Sequence, residues 1–293
     1  MGTQFPERWN RPVFLASIGR SGSTLLQRVI NVHPDITVWG EHAGFLAGLV
    51  DSRNAVCDER LASKLDQGFT FREMVVGELS DREVFQPWVS PFRAVDIEDE
   101  IRALIVSLFT RGVPETVRWG FKEVRYDENQ LRVLMELFPQ AHLVILARDI
   151  AGYTSSRFFA FGNTDFDLES EEGRAAAATR VTEFSDRWVR RYRGLLSLAE
   201  HFQGRISTVA YSDLVSGSSR PQQLFAELGE SPAPNDAIEA VLAAVAGSSY
   251  KHNSAARSNR EKLAELIDDV NIDRDELDEL SLALGVETLP SRH

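Results

Sequence analysis

Apolar residues in this chain fall into short continuous runs, separated by longer stretches with helical periodicity. Val13-Phe14-Leu15-Ala16-Ser17 is the first run. It leads into Ile18-Gly19-Arg20-Ser21-Gly22-Ser23-Thr24, after which Leu25, Leu26, Val29 and Ile30 recur at the spacing of one helix face. The pattern predicts a strand, a tight loop and a helix. Ile36-Thr37-Val38-Trp39 reads as a second strand, ending at Gly40-Glu41-His42. Residues 117–122 read as a third strand, and 141–147 as a fourth, buried on both faces by its apolar content. Residues 205–211, closing on Tyr211, read as a fifth.

Between these runs the periodicity is helical. It predicts an amphipathic helix over 129–138, long helices over 171–202, and closing helices with turns at Pro232, Pro234 and Gly247. Strands separated by helices imply an α/β fold with a mostly parallel central sheet. Residues 43–112 are mostly helical in pattern and carry no legible chemistry, so they are expected to form a helical insertion or a cap on the acceptor side. No Pro-, Gly- or Ser-rich linker divides the chain. One domain over 1–293 is therefore expected, long enough to bury a full core.

Composition narrows the classes. A hydrophobic content of 43% with 26% charged residues belongs to an ordinary globular protein. The net charge of -12 disfavours long nucleic acid as a partner. It does not disfavour a small anion, because a nest of amides and a few Arg side chains act locally. Cys57 is the only cysteine, which removes disulfides and multi-Cys metal sites. The six histidines have no metal-ligand spacing, so no metal is expected. No run of eighteen apolar residues occurs, and residues 1–11 contain no apolar signal core. The expectation is a cytoplasmic protein with no membrane partner; homodimerisation is left open.

Two segments carry candidate chemistry. A glycine-containing loop between a buried strand and a helix aims backbone amides and a positive helix end at one point, which suits phosphate or sulfate. The NTPase pattern G-x-x-x-x-G-K-[ST] would place Lys before the Ser/Thr. Here Gly22 is followed directly by Ser23 and Thr24, and the loop has no Lys. Glu41 and Asp149 are only partial candidates for holding magnesium, so a nucleotide triphosphatase or kinase is disfavoured. Taken singly, Ser23 and Thr24 could be helix caps, and Arg20 and Glu41 solvated charges. The second segment is Arg148, at the end of the strongest strand, with Ser156 eight positions later. A strand-end Arg can fork two donors onto a phosphate, and a Ser on the next helix can return to it. Alternatively, Arg148 could form a structural ion pair with Asp149 or another acid.

Together these strings resemble the sulfotransferases that use 3′-phosphoadenosine-5′-phosphosulfate (PAPS). Arg20-Ser21-Gly22-Ser23-Thr24-Leu25, then Asn31-Val32-His33-Pro34 and Gly40-Glu41, is most similar to their tyrosylprotein branch. The resemblance spans 19–41, 117–157 and 205–215. It implies a P-loop-like three-layer sandwich and a donor carrying phosphate at both ends of adenosine. On that likeness, Arg20, Ser21, Gly22, Ser23 and Thr24 hold the 5′-phosphosulfate, while Arg148 and Ser156 hold the 3′-phosphate. Lys122 resembles the branch's catalytic Lys, and Tyr211 the Tyr near the nucleotide. Ser249, Lys251 and Ser254 resemble a late loop that closes over adenosine. Two departures stand out: Ile150 replaces the usual Pro, and Ala160 replaces a second Arg, for which Arg157 is the nearest substitute.

The implied reaction is in-line sulfuryl transfer to a hydroxyl. Glu41 is the candidate base, with His42 and His252 as alternatives, and Arg20 and Lys122 stabilise the departing charge without a metal. A small-molecule acceptor is expected, with a peptide tyrosine as the alternative. A catalytically silent nucleotide-binding module is disfavoured by the retained Glu41 and Lys122. Arg187, Arg190, Arg191 and Arg193 read as a solvated or salt-bridged helix face.

Overall fold

Five strands whose side chains are almost all buried assemble into one sheet. The structure is a computed structural model that describes residues 4–58, 92–159, 170–248, 265–267 and 273–289. The strands are β1 (Val13–Ser17), β2 (Ile36–Trp39), β3 (Arg118–Glu123), β4 (His142–Ala147) and β5 (Ile206–Ala210). Their order is β2-β3-β1-β4-β5, and every neighbouring pair is parallel. All residues of β1, β3 and β4 are buried, as strands covered on both faces require.

Side-chain alternation sorts the two faces. Phe14, Ala16, Trp119, Phe121, Leu143 and Ile145 point to one side, and Val13, Leu15, Val144 and Leu146 to the other. The first face is covered by α2 (Leu46–Cys57), α3 (Ala94–Phe109), α4 (Glu128–Leu137), α5 (Ile150–Phe159) and the 31-residue α6 (Glu171–His201). Residues of α10 (Arg274–Leu284) join the same cluster. The second face is covered by α1 (Ser23–Ile30), α7 (Tyr211–Val215), α8 (Ser219–Glu227) and α9 (Asn235–Ser248). The result is the expected three-layer α/β sandwich, with a sheet that is wholly parallel.

Some details differ from the sequence reading. Tyr211 does not end a strand but opens α7. Gly247 lies inside α9 rather than at a turn. Of the expected helical insertion, α2 and α3 are helices; residues 59–91 lie outside the described part.

The turn joining α1 to β2 is fixed by side chains. Asn31 donates to the Val38 carbonyl at 2.9 Å and accepts from the Val38 amide at 2.7 Å. His33 receives the Asp35 amide at 3.1 Å and contacts the Ser231 carbonyl at 2.9 Å. The Asn31-to-Pro34 string therefore sets where β2, and Glu41 beyond it, emerges from the sheet.

Beside this turn, at the same end of the sheet, Arg118 opens β3 with only 1% exposure. It donates to the Arg11 and Leu228 carbonyls and to Glu230 Oε1 at 3.0 Å, and Glu230 also takes both terminal nitrogens of Arg8. Removing one member of a buried pair leaves the other charge uncompensated. Glu230→Ala is expected to cost about 3–5 kcal/mol. The loss should be read as a lowered urea midpoint at unchanged slope.

Candidate active site

The loop after β1 owes its shape to two left-handed residues. Arg20 has φ 74° and Gly22 has φ 97°. With Gly22 as N-cap, α1 begins at Ser23, and no side chain caps it. The Leu25 and Leu26 amides bond the Gly22 carbonyl, which leaves those of Ser23 and Thr24 for another acceptor at the positive end of the helix. Ser23 and Thr24 are helical residues, not caps. Ser21 is fully buried. Its hydroxyl donates to Ser17 Oγ at 2.8 Å and its amide to the Ile18 carbonyl at 3.3 Å, so it braces the loop from beneath.

Gly22 is required for a second reason. A Cβ there would lie 2.5 Å from Cδ2 and Cε2 of the Tyr211 ring. That ring also carries the Arg148 guanidinium, with Cζ 4.6 Å from its centroid. Arg148 Nη1 donates to the Arg20 carbonyl at 3.2 Å, while its buried Nε has no partner. The backbone of Arg148 is held by α6: Trp188 Nε1 donates to its carbonyl at 2.8 Å, and Tyr192 bonds its amide and the Leu146 carbonyl. Asp149 accepts from the Gly152 amide at 2.6 Å and so caps the first turn of α5, which also carries Ser156.

Lys122 reaches the loop from β3. Its ammonium is 2.6 Å from Glu41 Oε1 and 3.3 Å from Thr24 Oγ1, on a side chain only 6% exposed. The other Glu41 oxygen takes Arg125 Nη1 at 3.0 Å. Ionised carboxylates offer about four lone-pair sites. Glu41 can therefore still accept from a third group.

Glu123 escaped the sequence reading. It is fully buried at the end of β3. Its carboxylate accepts from the amides of His42, Gly44, Val124 and Arg125 and from Arg125 Nη1. Burial pushes its carboxyl up, but the Gly44 amide, the Arg125 side chain and the Val124 and Arg125 amides outweigh this. They hold it below its ordinary value of 4.5. One carboxylate thus ties the loop after β2 to the loop after β3, and its signal in sequence is only an acid closing a buried strand. His42, an alternative base, packs edge-on against Phe45, Phe109 and Phe121 and bonds the Tyr126 hydroxyl. Burial pushes its imidazole below the ordinary 6.5.

A cleft of about 300 Å³ brings together Arg20, Gly22, Ser23, Thr24, Glu41, Arg148 and Ser156. Lys122 and Tyr211 touch members of that set from behind, and Ser21 supports it. Ser249, Lys251, His252 and Ser254, together with Ala160, lie outside the described residues. Arg157 does not line this cleft. It lines an adjoining cavity of about 630 Å³, which shares Gly19 and Val124 with the cleft and also contains Arg125, Arg187, Arg190 and Arg191. Of the four arginines read as a solvated or salt-bridged face, only Arg193 is ion-paired among the described residues, to Glu276. Among the described residues, no group of His, Cys, Asp and Glu is arranged to hold a metal, and no helix is long and apolar enough to cross a membrane.

A parallel sheet with an uncapped helix after its central strand, and a cationic cleft at its carboxyl edge, defines a P-loop-like α/β architecture. The chain belongs to the sulfotransferase family, whose model matches residues 12–221. Among solved structures it is similar to the sulfotransferase domain of the Synechococcus PCC 7002 olefin synthase, at 18% identity and TM-score 0.51, covering 97% of this chain and 99% of that one. It is also similar to the sulfotransferase domain of the curacin biosynthetic pathway, at 18% identity and TM-score 0.53, covering 98% and 100%. A third is a sulfotransferase from Alicyclobacillus acidocaldarius, at 14% identity and TM-score 0.51, covering 94% and 97%. At these identities the likeness is one of fold. No curated protein matches the sequence.

The Glu123 cluster predicts a particular pH dependence. Because its folded pKa is depressed, its stabilisation is present above about pH 4.5 and is lost as pH falls through the folded value. Glu123→Gln should lower stability at pH 7 by roughly 1.5–3 kcal/mol, the value of charge-assisted hydrogen bonds. In denaturant titrations, the gap between wild type and variant should close below pH 4.5. A constant gap would show that the ionised form is not what the loops require.

Proposed function

We propose that this sulfotransferase moves a sulfuryl group from PAPS to the hydroxyl of a small-molecule acceptor. The observation that carries the reading is the convergence of the uncapped α1 N-terminus, Arg20, Glu41 and Arg148 on a single cleft. An anion at the 5′ end of the donor meets the first-turn amides of α1. A separate phosphate on the ribose meets Arg148, whose unpartnered buried Nε marks a donor without an internal acceptor, and Ser156 beside it. A nucleoside triphosphate carries no phosphate for that second position.

The residues divide the reaction between them. The acceptor oxygen attacks sulfur as the bond from sulfur to the 5′-phosphate oxygen breaks, in line, as in phosphoryl transfer. The acceptor proton passes to Glu41. The electron pair of the broken bond stays on the 5′-phosphate of 3′-phosphoadenosine 5′-phosphate, which leaves. Lys122 lies between Glu41 and Thr24, so its ammonium faces both the base and the phosphate loop. There, with Arg20, it counters the growing negative charge. These fixed cations and amides supply the neutralisation, so the assignment calls for no metal.

Donor binding can be checked without knowing the acceptor. 3′-Phosphoadenosine 5′-phosphate should raise the melting temperature by mass action, and ATP with magnesium much less. Arg148→Ala should weaken that ligand by roughly ten- to a hundred-fold, one charge-assisted contact, and adenosine 5′-phosphate far less. Equal stabilisation by ATP, or equal losses for both ligands, would sink the donor assignment.

Glu41→Gln keeps the size of the side chain and one hydrogen-bond acceptor but removes its basicity. Turnover should fall by about 10²-fold or more, with donor affinity nearly unchanged. A parallel fall in donor affinity would instead make Glu41 an anchor for Lys122 and the phosphate loop.

A further inference from the structure

The 630 Å³ cavity beside the cleft is of ordinary size for a small-molecule site but not of ordinary chemistry, since such sites are mostly apolar. In a chain of net charge -12, five arginines line it, with Asp127 and Glu128 as its only acids among the described lining residues. They come from three elements: Arg125 after β3, Arg157 on α5, and Arg187, Arg190 and Arg191 on α6 at the spacing of one helix face. Asp127 is partly engaged as the cap of α4, its carboxylate accepting from the Gln130 amide at 2.8 Å, and its charge favours that of Arg191.

The arginines differ in how far they are engaged. Arg125 is held by Glu41 and Glu123, and Arg191 by the carbonyls of Ser17 and Tyr126. Further along α6, Arg180 pairs with Glu183. Arg187 and Arg190 have no acid within ion-pair distance among the described residues, and both are exposed.

A second observation is independent of the charge count. Tyr153 lines the cavity with 0% exposure, and its hydroxyl has no hydrogen-bond partner; neither does the buried Nη2 of Arg191. Unsatisfied buried donors are costly, typically ~1–3 kcal/mol each, and these two border the same space. Burial pushes the Tyr153 phenol up, against the pull of Arg157 and Arg187, so it is a proton donor at neutral pH. The cavity therefore offers more donors and cations than acceptors, with two acids facing five arginines.

We propose that this cavity binds an acidic group of the acceptor, so that the substrate is a hydroxyl compound also bearing a carboxylate or a phosphate. The placement rests on the sulfuryl-transfer reading above. Gly19 and Val124 border both spaces, so an acceptor anchored here by its anion would present its hydroxyl towards Glu41.

The test is calorimetric binding of phenyl phosphate, benzoate and benzyl alcohol, with and without saturating 3′-phosphoadenosine 5′-phosphate. Saturation blocks the donor cleft. Phenyl phosphate, benzoate or both should bind at least ~10-fold more tightly than benzyl alcohol, the value of one charge-assisted contact, and more weakly as salt rises. Which anion prevails separates a phosphorylated substrate from a carboxylated one. The exposed double variant R187Q/R190Q should lose at least ~10-fold in anion affinity and keep its affinity for the nucleotide. Three results would overturn the proposal: benzyl alcohol binding as well as both anions, full displacement of the anions by the nucleotide, or unchanged anion affinity in the double variant. Should the nucleotide itself fail to bind while the anions bind and the variant loses them, the donor reading falls and the anion site stands.

Discussion

The site depends on β1 pairing in parallel with β3 on one side and β4 on the other. Parallel strands end at the same edge. The loop after β1, Lys122 near the end of β3 and Arg148 just beyond β4 are therefore adjacent, although well over a hundred residues separate the first from the last. The placement holds because β1, β3 and β4 are buried on both faces, where a shift of register would drive large side chains into packed helices. Phe14 pairs with Phe121 on one side and Leu143 on the other, and all three belong to the same apolar cluster.

Charge is then arranged within that frame by a few carboxylates. Glu41 separates Lys122 from Arg125, and Glu123 gathers four amides and the same Arg125. The cations are thereby held apart at defined positions. A buried charge that is fully hydrogen-bonded keeps its place, whereas an unpaired one would shift its pKa or draw in water. Glu123 is best understood as a positioning residue: it touches both loops but does not line the cleft.

Much of this was legible in the sequence, for physical reasons. Val13 to Ser17 and the helix after it are read from periodicity, because burial on both faces demands a continuous apolar run. Arg20, Ser23, Thr24, Glu41, Arg148 and Ser156 meet in one cleft, as their shared position at the strand ends implies. Strand order was not legible, since it depends on which faces pack together. Glu123 was hidden because a charged residue closing a strand looks solvated unless its two distant amide partners, His42 and Gly44, 79 to 81 positions away, are in view. Arg187, Arg190 and Arg191 were read as surface because a helix face rich in arginine usually is. Only the packing of α6 beside α5 and α4 turns them towards a cavity. Tyr211 was expected in a strand and opens a helix, one residue beyond the hydrogen-bonded ladder.

The contact of Gly22, Tyr211 and Arg148 carries a consequence for how the two ends of a bound donor communicate. The ring of Tyr211 fills the space where a side chain on Gly22 would stand, and its face supports the Arg148 guanidinium, the group proposed for the second phosphate. A perturbation of the loop would thus be transmitted through an aromatic plate to an arginine that follows a different strand. If the proposed donor binds there, the contributions of its two ends to affinity would not be separable quantities. Their sum would differ from the whole by the energy of that stack, and the adenosine between them would be held by a single coupled grip.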